Sequence, residues 1–177
     1  HYCATCDGAM YEGADVLVIG GGSAAIEEAI FLTRFANHVT IVHRRDEFRA
    51  AQTELEEARA NEKISILTNK VVKEVIPGEF VLDQVVLTDV KTGEETVVPA
   101  SAVFVYVGND PQTELFAGQI GLDKTGYIVA GEDTNTTVAG VFAAGDVRTK
   151  PLRQVATATS DGAVAAIMAE KYIQSVK

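Results

Sequence analysis

The amino-terminal segment contains the only two cysteines of this 177-residue chain, Cys3 and Cys6, followed at once by Asp7. Two thiols at this spacing can bind a metal, form a structural disulfide, or exchange electrons as a dithiol–disulfide couple. A zinc site needs four ligands, and a second cysteine pair is absent. His38 and His43 could complete such a site in principle, but His43 has a better role at the predicted nucleotide site. A disulfide across so short a loop constrains the unfolded chain little. The pattern therefore favours a redox-active dithiol, with Asp7 able to relay the protons that thiol exchange requires.

A glycine-rich run, GGGSAA at residues 20–25, fits the pattern G-x-G-x-x-A between a predicted strand and a predicted helix. In that context the first glycine permits a tight turn and the second lets a pyrophosphate approach the backbone. The alanine lets the helix pack close to the strand, and the helix amino terminus receives the anion. The run therefore predicts a dinucleotide site formed by Gly20, Gly22, Ser23, Ala24 and Ala25.

Basic residues cluster at the end of the second predicted strand, where a dinucleotide places its adenine ribose. The strand runs into His43, Arg44 and Arg45, and Arg49 lies one turn along a predicted helix. An NAD site usually has an acid here for the 2′-hydroxyl, whereas guanidinium groups suit a 2′-phosphate. A charge run is more often a solvated face, but this one stands at the ribose position in an otherwise acidic chain. The sequence therefore predicts NADPH rather than NADH.

The elements that must position these residues alternate between strands and helices in the first part of the chain. Apolar, β-branched runs predict strands, and helical spacing of apolar residues predicts helices. Strands are expected at 15–20, 39–42 and 64–67, and helices at 23–35 and 46–60. This alternation predicts a parallel sheet with right-handed crossovers. Asp46 and Glu47 are expected in the first turn of the second helix, where the helix dipole favours acids.

The pattern changes after residue 70. Strand-like segments at 71–76, 82–90 and 94–99 are separated by turn residues, which predicts an antiparallel meander inserted into the sheet. A further apolar strand at 102–107 should return to the parallel sheet. The sequence GNDP at residues 108–111 then marks a domain boundary, followed by loops, the run VFAAGD at 141–146 and a helix over about 153–172.

Composition narrows the class of protein. With 47% hydrophobic and 23% charged residues, the chain is typical of globular proteins. No apolar run approaches the ~18 residues of a membrane span, so no membrane association is expected. A formal charge of −10 argues against a nucleic-acid partner. Two cysteines are too few for a secreted disulfide framework, which favours the cytoplasm.

Four segments, CATCDG, GGGSAAIEEA, HRRDEFRA and VFAAGDV, together resemble the low-molecular-weight, bacterial-type thioredoxin reductases. These are FAD- and NADPH-dependent flavoproteins, and the resemblance covers essentially the whole chain. It implies an α/β fold with a Rossmann-like, three-layer NADPH domain carrying the dithiol and a meander over residues 1–107. Residues 108–177 are then expected to be the carboxy-terminal segment of a second Rossmann-like domain, which binds FAD.

The resemblance also implies roles for individual residues. Electrons pass from NADPH through FAD and the dithiol to the disulfide of thioredoxin. Cys6 matches the cysteine that faces the flavin, Cys3 the one that attacks thioredoxin, and Asp7 the general acid. The segments expected to contact FAD comprise Gly145, Asp146, Val147, Arg153, Gln154 and Val155.

Two departures from the family pattern bear on these expectations. The amino-terminal half of the FAD domain, with its own glycine loop, has no counterpart here, so the chain is expected to be a fragment that is inactive alone. The full-length protein is expected to be a homodimer. Ala9 and Met10 replace the aromatic residues that often seat thioredoxin, so another disulfide partner is an alternative. A related flavoprotein with another electron donor and a non-catalytic, NADP-binding redox sensor are further alternatives.

Overall fold

The computed structural model describes residues 1–176, and the chain divides into two compact units. The first unit runs from His1 to Gly108, and the second begins at Asn109.

A four-stranded parallel sheet forms the centre of the first unit. Its strands are β1 (Asp15–Gly20), β2 (His38–Val42), β3 (Ile64–Leu67) and β7 (Ala102–Tyr106), in the order β3-β2-β1-β7. In the central strand, Val18 pairs with Ile41 on one side and Phe104 on the other. The short apolar runs predict these strands to within a residue at each end, because fully buried parallel strands are apolar throughout.

Helices cover one face of this sheet. They are α1 (Ala4–Asp7), α2 (Ser23–Leu32) and α3 (Gln52–Ala60). Their apolar side chains pack with the sheet in a continuous core, whose largest fully buried members include Phe104, Ile26 and Leu32. Helix α2 ends three residues before the predicted limit, and α1 lies in a segment for which the sequence predicted no helix.

The prediction of a helix over 46–60 is wrong in its first part, because α3 begins only at Gln52. Residues 44–51 form an irregular loop, here called the arginine loop. The expected placement of Asp46 and Glu47 in the first turn of a helix is therefore also wrong. Contacts with distant parts of the chain hold this loop, and such tertiary contacts override local helix propensity.

An antiparallel sheet covers the opposite face. Its strands are β4 (Lys70–Pro77), β5 (Leu82–Asp89) and β6 (Glu95–Pro99), in the order β4-β5-β6. A second apolar cluster lies between the two sheets and contains Leu17, Val42, Val85, Leu87 and Ala100. The α/β fold class, with an antiparallel meander inserted into a parallel sheet, is confirmed.

The second unit has little regular structure before its long helix. Short 3₁₀ turns occur at Glu114–Phe116 and Gly145–Val147, and α4 spans Val155–Ser175. Its apolar core cluster contains three buried residues, Ile128, Ala130 and Ala143. Within residues 1–176, no helix is long and apolar enough to cross a membrane.

Candidate functional site

The glycine loop joins β1 to α2 and leaves no room for side chains at its first two positions. A Cβ on Gly20, whose φ is +152°, would lie 2.4 Å from the carbonyl oxygen of Tyr106 and 2.9 Å from the Cβ of Ala25. A Cβ on Gly21 would lie 2.4 Å from the imidazole ring of His43. The first two glycines are therefore required by packing against β7, α2 and the end of β2.

The third glycine faces open space. A Cβ on Gly22 would meet no atom within 4 Å, and Gly22 is the N-cap of α2. Ser23 and Ala24 form the first turn, whose backbone N–H groups have no acceptor within the helix. Ala25 is fully buried against Gly20, as expected for close packing of helix and strand. The loop thus presents N–H donors and the positive end of a helix dipole to any anion that approaches.

Three contacts hold the arginine loop in place, one to the glycine loop and two to His43. The backbone N–H of Arg49 donates to the carbonyl oxygen of Gly21 at 2.7 Å. The ring Nε2 of His43 donates to the carbonyl oxygen of Glu47 at 3.0 Å, and the His43 ring packs on Phe48 with centroids 4.7 Å apart. His43 is buried, so it supports the loop from beneath.

Asp46 in the arginine loop is turned toward the antiparallel sheet. Its carboxylate accepts a hydrogen bond from the side-chain amide of Asn69 and pairs with the ammonium of Lys91 at 2.5 Å. These two donors lower the pKa of Asp46. An ionised carboxylate in this loop would repel a phosphate. The contacts with Asn69 and Lys91 hold the Asp46 carboxylate at the meander and partly neutralise its charge.

A cavity of about 330 Å³ opens between these loops in the first unit. It is lined by Ile19, Gly20, Gly21, Val42, His43, Arg44, Arg49, Lys70, Val71, Tyr106 and Val107. Arg44, Arg45 and Arg49 are exposed, and within residues 1–176 no carboxylate forms an ion pair with them. The cavity therefore has an apolar floor and a rim carrying guanidinium groups that are available to a ligand.

Part of the predicted nucleotide site lines this cavity. Gly20, His43, Arg44 and Arg49 are among the lining residues, whereas Gly22, Ser23, Ala24, Ala25 and Arg45 are not. Lys70 is a lining residue that the sequence analysis missed, and its ammonium pairs with Asp89 at 3.2 Å. Its place could not be read from local sequence, because β4 reaches the cavity only through the fold of the meander.

The cysteines form a disulfide in a single turn of helix at the start of the first unit. The S–S distance is 2.02 Å, and Cys3 is the N-cap of α1. The backbone N–H of Cys6 donates to the Cys3 sulfur at 3.1 Å. Cys6 is exposed and Cys3 half-buried, so a thiol partner could reach the pair from solvent. No cluster of three or more potential metal ligands occurs within residues 1–176.

Asp7 follows the disulfide and contacts a residue absent from the predicted site. Its carboxylate lies 2.8 Å from Nδ1 of His1, and Nε2 of His1 lies 2.6 Å from the hydroxyl of Tyr11. The hydroxyl of Tyr106 accepts a hydrogen bond from the backbone N–H of Ala4 at 2.7 Å. Burial, followed by the charges of Glu28 and Asp7, raises the pKa of Tyr106 to about 12.

In the second unit, the Gly145–Val147 turn is held by a buried charge cluster. Asp161 accepts hydrogen bonds from the backbone N–H of Gly145 at 2.9 Å and from Nη2 of Arg148 at 2.7 Å. The ammonium of Lys150 lies 2.6 Å from the same carboxylate. These donors, Arg148 first, hold the pKa of Asp161 far below its usual range. The sequence analysis missed this cluster, which fixes the backbone next to the exposed Asp146.

The other residues predicted to contact FAD lie at the start of α4. Nε of Arg153 donates to the carbonyl oxygen of Asp146 at 3.2 Å, and its guanidinium lies 3.9 Å from the ring centroid of Tyr127. Gln154 is the N-cap of α4, so the helix begins two residues later than predicted. Val155 is exposed. The structure thus brings Arg153 and the Gly145–Val147 turn together.

Comparisons with known proteins agree with these features. A profile of the pyridine nucleotide-disulphide oxidoreductase family matches residues 1–162. The chain belongs to this family. The thioredoxin reductase of Peptoclostridium litorale is 50% identical to it over 181 residues, covering 99% of this chain and 57% of that protein. The thioredoxin reductase of Mycolicibacterium smegmatis is 50% identical over 172 residues, covering 97% and 55% respectively.

A comparison with solved structures gives the same result. The thioredoxin reductase from Streptococcus pyogenes MGAS5005 superimposes with a TM-score of 0.92 at 43% identity, covering 98% of this chain and 57% of that one. The resemblance expected from the four sequence segments is therefore confirmed. The chain spans little more than half the length of these relatives.

Proposed function

We propose that this protein is an NADPH-dependent thioredoxin-disulfide reductase that uses FAD. The observation that carries the proposal is an exposed disulfide, followed by an acid, in the same unit as an arginine-lined cavity beside a glycine loop. On this proposal, residues 1–107 are the NADPH-binding domain, and residues 108–177 are the carboxy-terminal segment of the FAD-binding domain.

The first unit suits a phosphorylated dinucleotide. The N–H groups at the start of α2 would hold the pyrophosphate, and the open space at Gly22 would allow its close approach. Arg44 and Arg49 line the cavity, and Arg45 is exposed beside them; these guanidinium groups would bind the 2′-phosphate as charged donors. His43 supports the loop that carries them.

The second unit suits one part of a flavin site. Gly145 has a φ of +82°, a conformation that favours glycine, and Asp161 fixes its N–H. Asp146 is exposed at this turn, while Arg153, Gln154 and Val155 begin α4 beside it. Bound FAD would supply the two-electron relay between a hydride donor and the sulfurs.

The chain's own residues would perform the thiol chemistry. In the reduced state, the Cys3 thiolate attacks the disulfide of thioredoxin and forms a mixed disulfide. The Cys6 thiolate then attacks Cys3, re-forms the Cys3–Cys6 bond and releases thioredoxin with two thiols. Asp7 exchanges protons with these sulfurs, so that the leaving thiolate departs as a neutral thiol.

The proposal extends to partners and location. Tyr2 and Met10 are exposed in the same amino-terminal segment as the disulfide, and they would give a protein disulfide an apolar surface to pack against. Thioredoxin is the proposed partner, because the relatives above carry the name thioredoxin reductase. A homodimer when full length and a cytoplasmic location belong to the same proposal, the latter because a dithiol donor works in a reducing compartment.

Thiol transfer from the chain itself tests the proposal. The purified chain is reduced with dithiothreitol, freed of reductant and mixed with oxidised thioredoxin, and thiols are trapped over time. The wild-type chain should reduce thioredoxin stoichiometrically. Cys6→Ser should accumulate a mixed disulfide between Cys3 and thioredoxin, whereas Cys3→Ser should transfer nothing.

Failure of the wild-type chain to reduce thioredoxin, with its own disulfide fully reducible, would contradict this partner. A labelling experiment addresses the sensor alternative. In the full-length protein loaded with FAD, adding NADPH should expose both thiols to labelling. Thiols that stay protected under those conditions would favour a non-catalytic nucleotide sensor.

A further inference from the structure

His1 is fixed by its main chain to the edge of the parallel sheet. Its nitrogen donates to the carbonyl oxygen of Val103 at 2.9 Å, and its carbonyl oxygen accepts from the N–H of Val105 at 2.8 Å. Both backbone groups of His1 are therefore paired with β7, as in a sheet ladder. The position of this residue is set by the sheet.

Two aromatic rings fix the orientation of the His1 side chain. The imidazole stacks on Phe104 with centroids 5.2 Å apart, and Tyr11 meets it edge-on, also at 5.2 Å. The side chain remains 30% exposed. The imidazole ring thus packs against two aromatic rings and remains partly exposed to solvent.

Both nitrogens of the ring are engaged in one hydrogen-bonded chain. Nδ1 lies 2.8 Å from Asp7, and Nε2 lies 2.6 Å from the hydroxyl of Tyr11. A neutral imidazole has one donor and one acceptor nitrogen. With an ionised Asp7 as acceptor, Nδ1 carries the hydrogen and Nε2 accepts from the Tyr11 hydroxyl. The arrangement connects Asp7 to solvent through a group that can take a proton at one nitrogen while releasing one at the other.

We propose that His1 is a positioning residue for Asp7 and returns protons to it during reduction of the Cys3–Cys6 disulfide. This rests on the role of Asp7 proposed above. Reduction consumes two electrons and two protons, and breaks the S–S bond to give two thiols. Dithiothreitol supplies the electrons in the test below, becoming a cyclic disulfide. A proton from solvent first enters at Nε2 by way of the Tyr11 hydroxyl and charges the ring. The Nδ1 hydrogen of His1 then passes through the Asp7 carboxylate to the departing thiolate, so Asp7 ends ionised as it began and the ring ends neutral.

Other titratable groups face this chain. They are Tyr11 from the turn after α1, Tyr106 from β7, and Glu28 from α2. Tyr106 stays neutral across the range tested, since its pKa is raised to about 12. Burial first and then the charge of Glu27 raise the pKa of Glu28, so this carboxyl needs its own control variant.

The test is the rate at which dithiothreitol reduces the disulfide of this chain, measured by thiol trapping from about pH 5 to 8, where imidazoles titrate. Each variant is expressed as the ratio of its rate to the wild-type rate at the same pH, which removes the pH dependence of dithiothreitol itself. His1→Gln keeps a hydrogen-bond donor for Asp7 but cannot carry a proton. At the acidic end of the range we expect the disulfide of His1→Gln to be reduced about tenfold more slowly than that of the wild type, which is less than the full effect of a general acid. At the alkaline end the two rates should approach each other.

Three further variants make the result specific. Tyr11→Phe removes only the hydroxyl and should show the same pH-dependent loss of reduction rate. If His1→Gln lowers the melting temperature of the chain, the rates of Tyr11→Phe decide the result instead. His38→Gln changes a histidine whose ring bonds to Ser65, and Glu28→Gln removes the competing carboxyl; both should match wild type at every pH. A ratio for His1→Gln and Tyr11→Phe that stays constant with pH would overturn the proposal. Because neither NADPH nor thioredoxin is used, that outcome is independent of the proposed function.

Discussion

The two units of this chain are stabilised by different means. In the first, the parallel sheet is buried on both faces, by helices on one side and by the meander on the other, and the largest buried side chains are apolar. In the second, the apolar cluster has three buried residues, and the one buried residue of α4 is Asp161. The first unit is therefore stabilised mainly by a large apolar core, whereas buried ion pairs contribute more to the second.

This difference matches what each unit presents to ligands. The first unit encloses a cavity with walls from several elements, so its shape is set by the core beneath. The second presents an exposed turn whose backbone is fixed by a single carboxylate that bonds to Gly145, Arg148 and Lys150. Removing one group from each unit should therefore have separate effects on nucleotide binding and on local stability.

The largest effect is expected from Asp161→Ala. This substitution leaves the buried Lys150 without its counter-charge and Arg148 with only the exposed Glu132 at 3.5 Å. Breaking a buried ion pair in this way costs about 3–5 kcal/mol. Hydrogen exchange should show this loss in amides of residues 109–176, with residues 1–108 unchanged. Asp110→Ala, at an exposed aspartate of the same unit, is the matched control. Equal loss of hydrogen-exchange protection in both units would contradict the claim that Asp161 stabilises the second unit alone.

The lowered pKa of the Asp161 carboxylate predicts how the stability of the second unit changes at acidic pH. The folded-state pKa of Asp161 is lowered by Arg148 and its other donors, so the ionised form stabilises the fold. That stabilisation is complete above the ordinary aspartate pKa of about 3.9 and is lost as the pH falls toward the lower folded-state value. Hydrogen exchange during an acid titration should show loss of protection in residues 109–176 first. A first unit that loosens at higher pH than the second would contradict this order.

A smaller effect is expected in the first unit from Arg44→Ala. The loss of one charged hydrogen bond to a phosphate should weaken NADPH binding about ten- to a hundredfold. NADH binding and stability should not change, because Arg44 is exposed and lies outside the core. Calorimetry on the chain measures both nucleotides, with Arg59→Ala in α3 as the control. A parallel loss of NADH affinity would show that Arg44 does not contact a 2′-phosphate.

The smallest effect is expected from Lys91→Ala, which removes one of the two donors that hold Asp46 at the meander. With only Asn69 left as its donor, the Asp46 carboxylate should weaken NADPH binding by less than about fivefold, as is typical of exposed ion pairs. The effect should shrink with added salt. Tighter NADPH binding by this variant would contradict the account of the Asp46 contacts.

Much of the first unit could be predicted from sequence because its determinants are local. The apolar run of β1 and the glycine loop are continuous segments whose pattern specifies a buried strand and a turn. The arginine loop could not be predicted, because the contact of Arg49 with Gly21 joins residues distant in sequence. For the same reason sequence alone missed His1, which is placed by β7, and Asp161, whose partners are buried charges that no periodicity indicates.

The central claim is that the cavity of the first unit accepts a dinucleotide with a 2′-phosphate. Calorimetric titration of this chain with NADPH and with NADH at low and at moderate salt tests it most directly. The account predicts NADPH binding that is tighter by about tenfold or more and weakens with salt, since exposed charge interactions are screened. Equal affinity for the two nucleotides at both salt concentrations would contradict it.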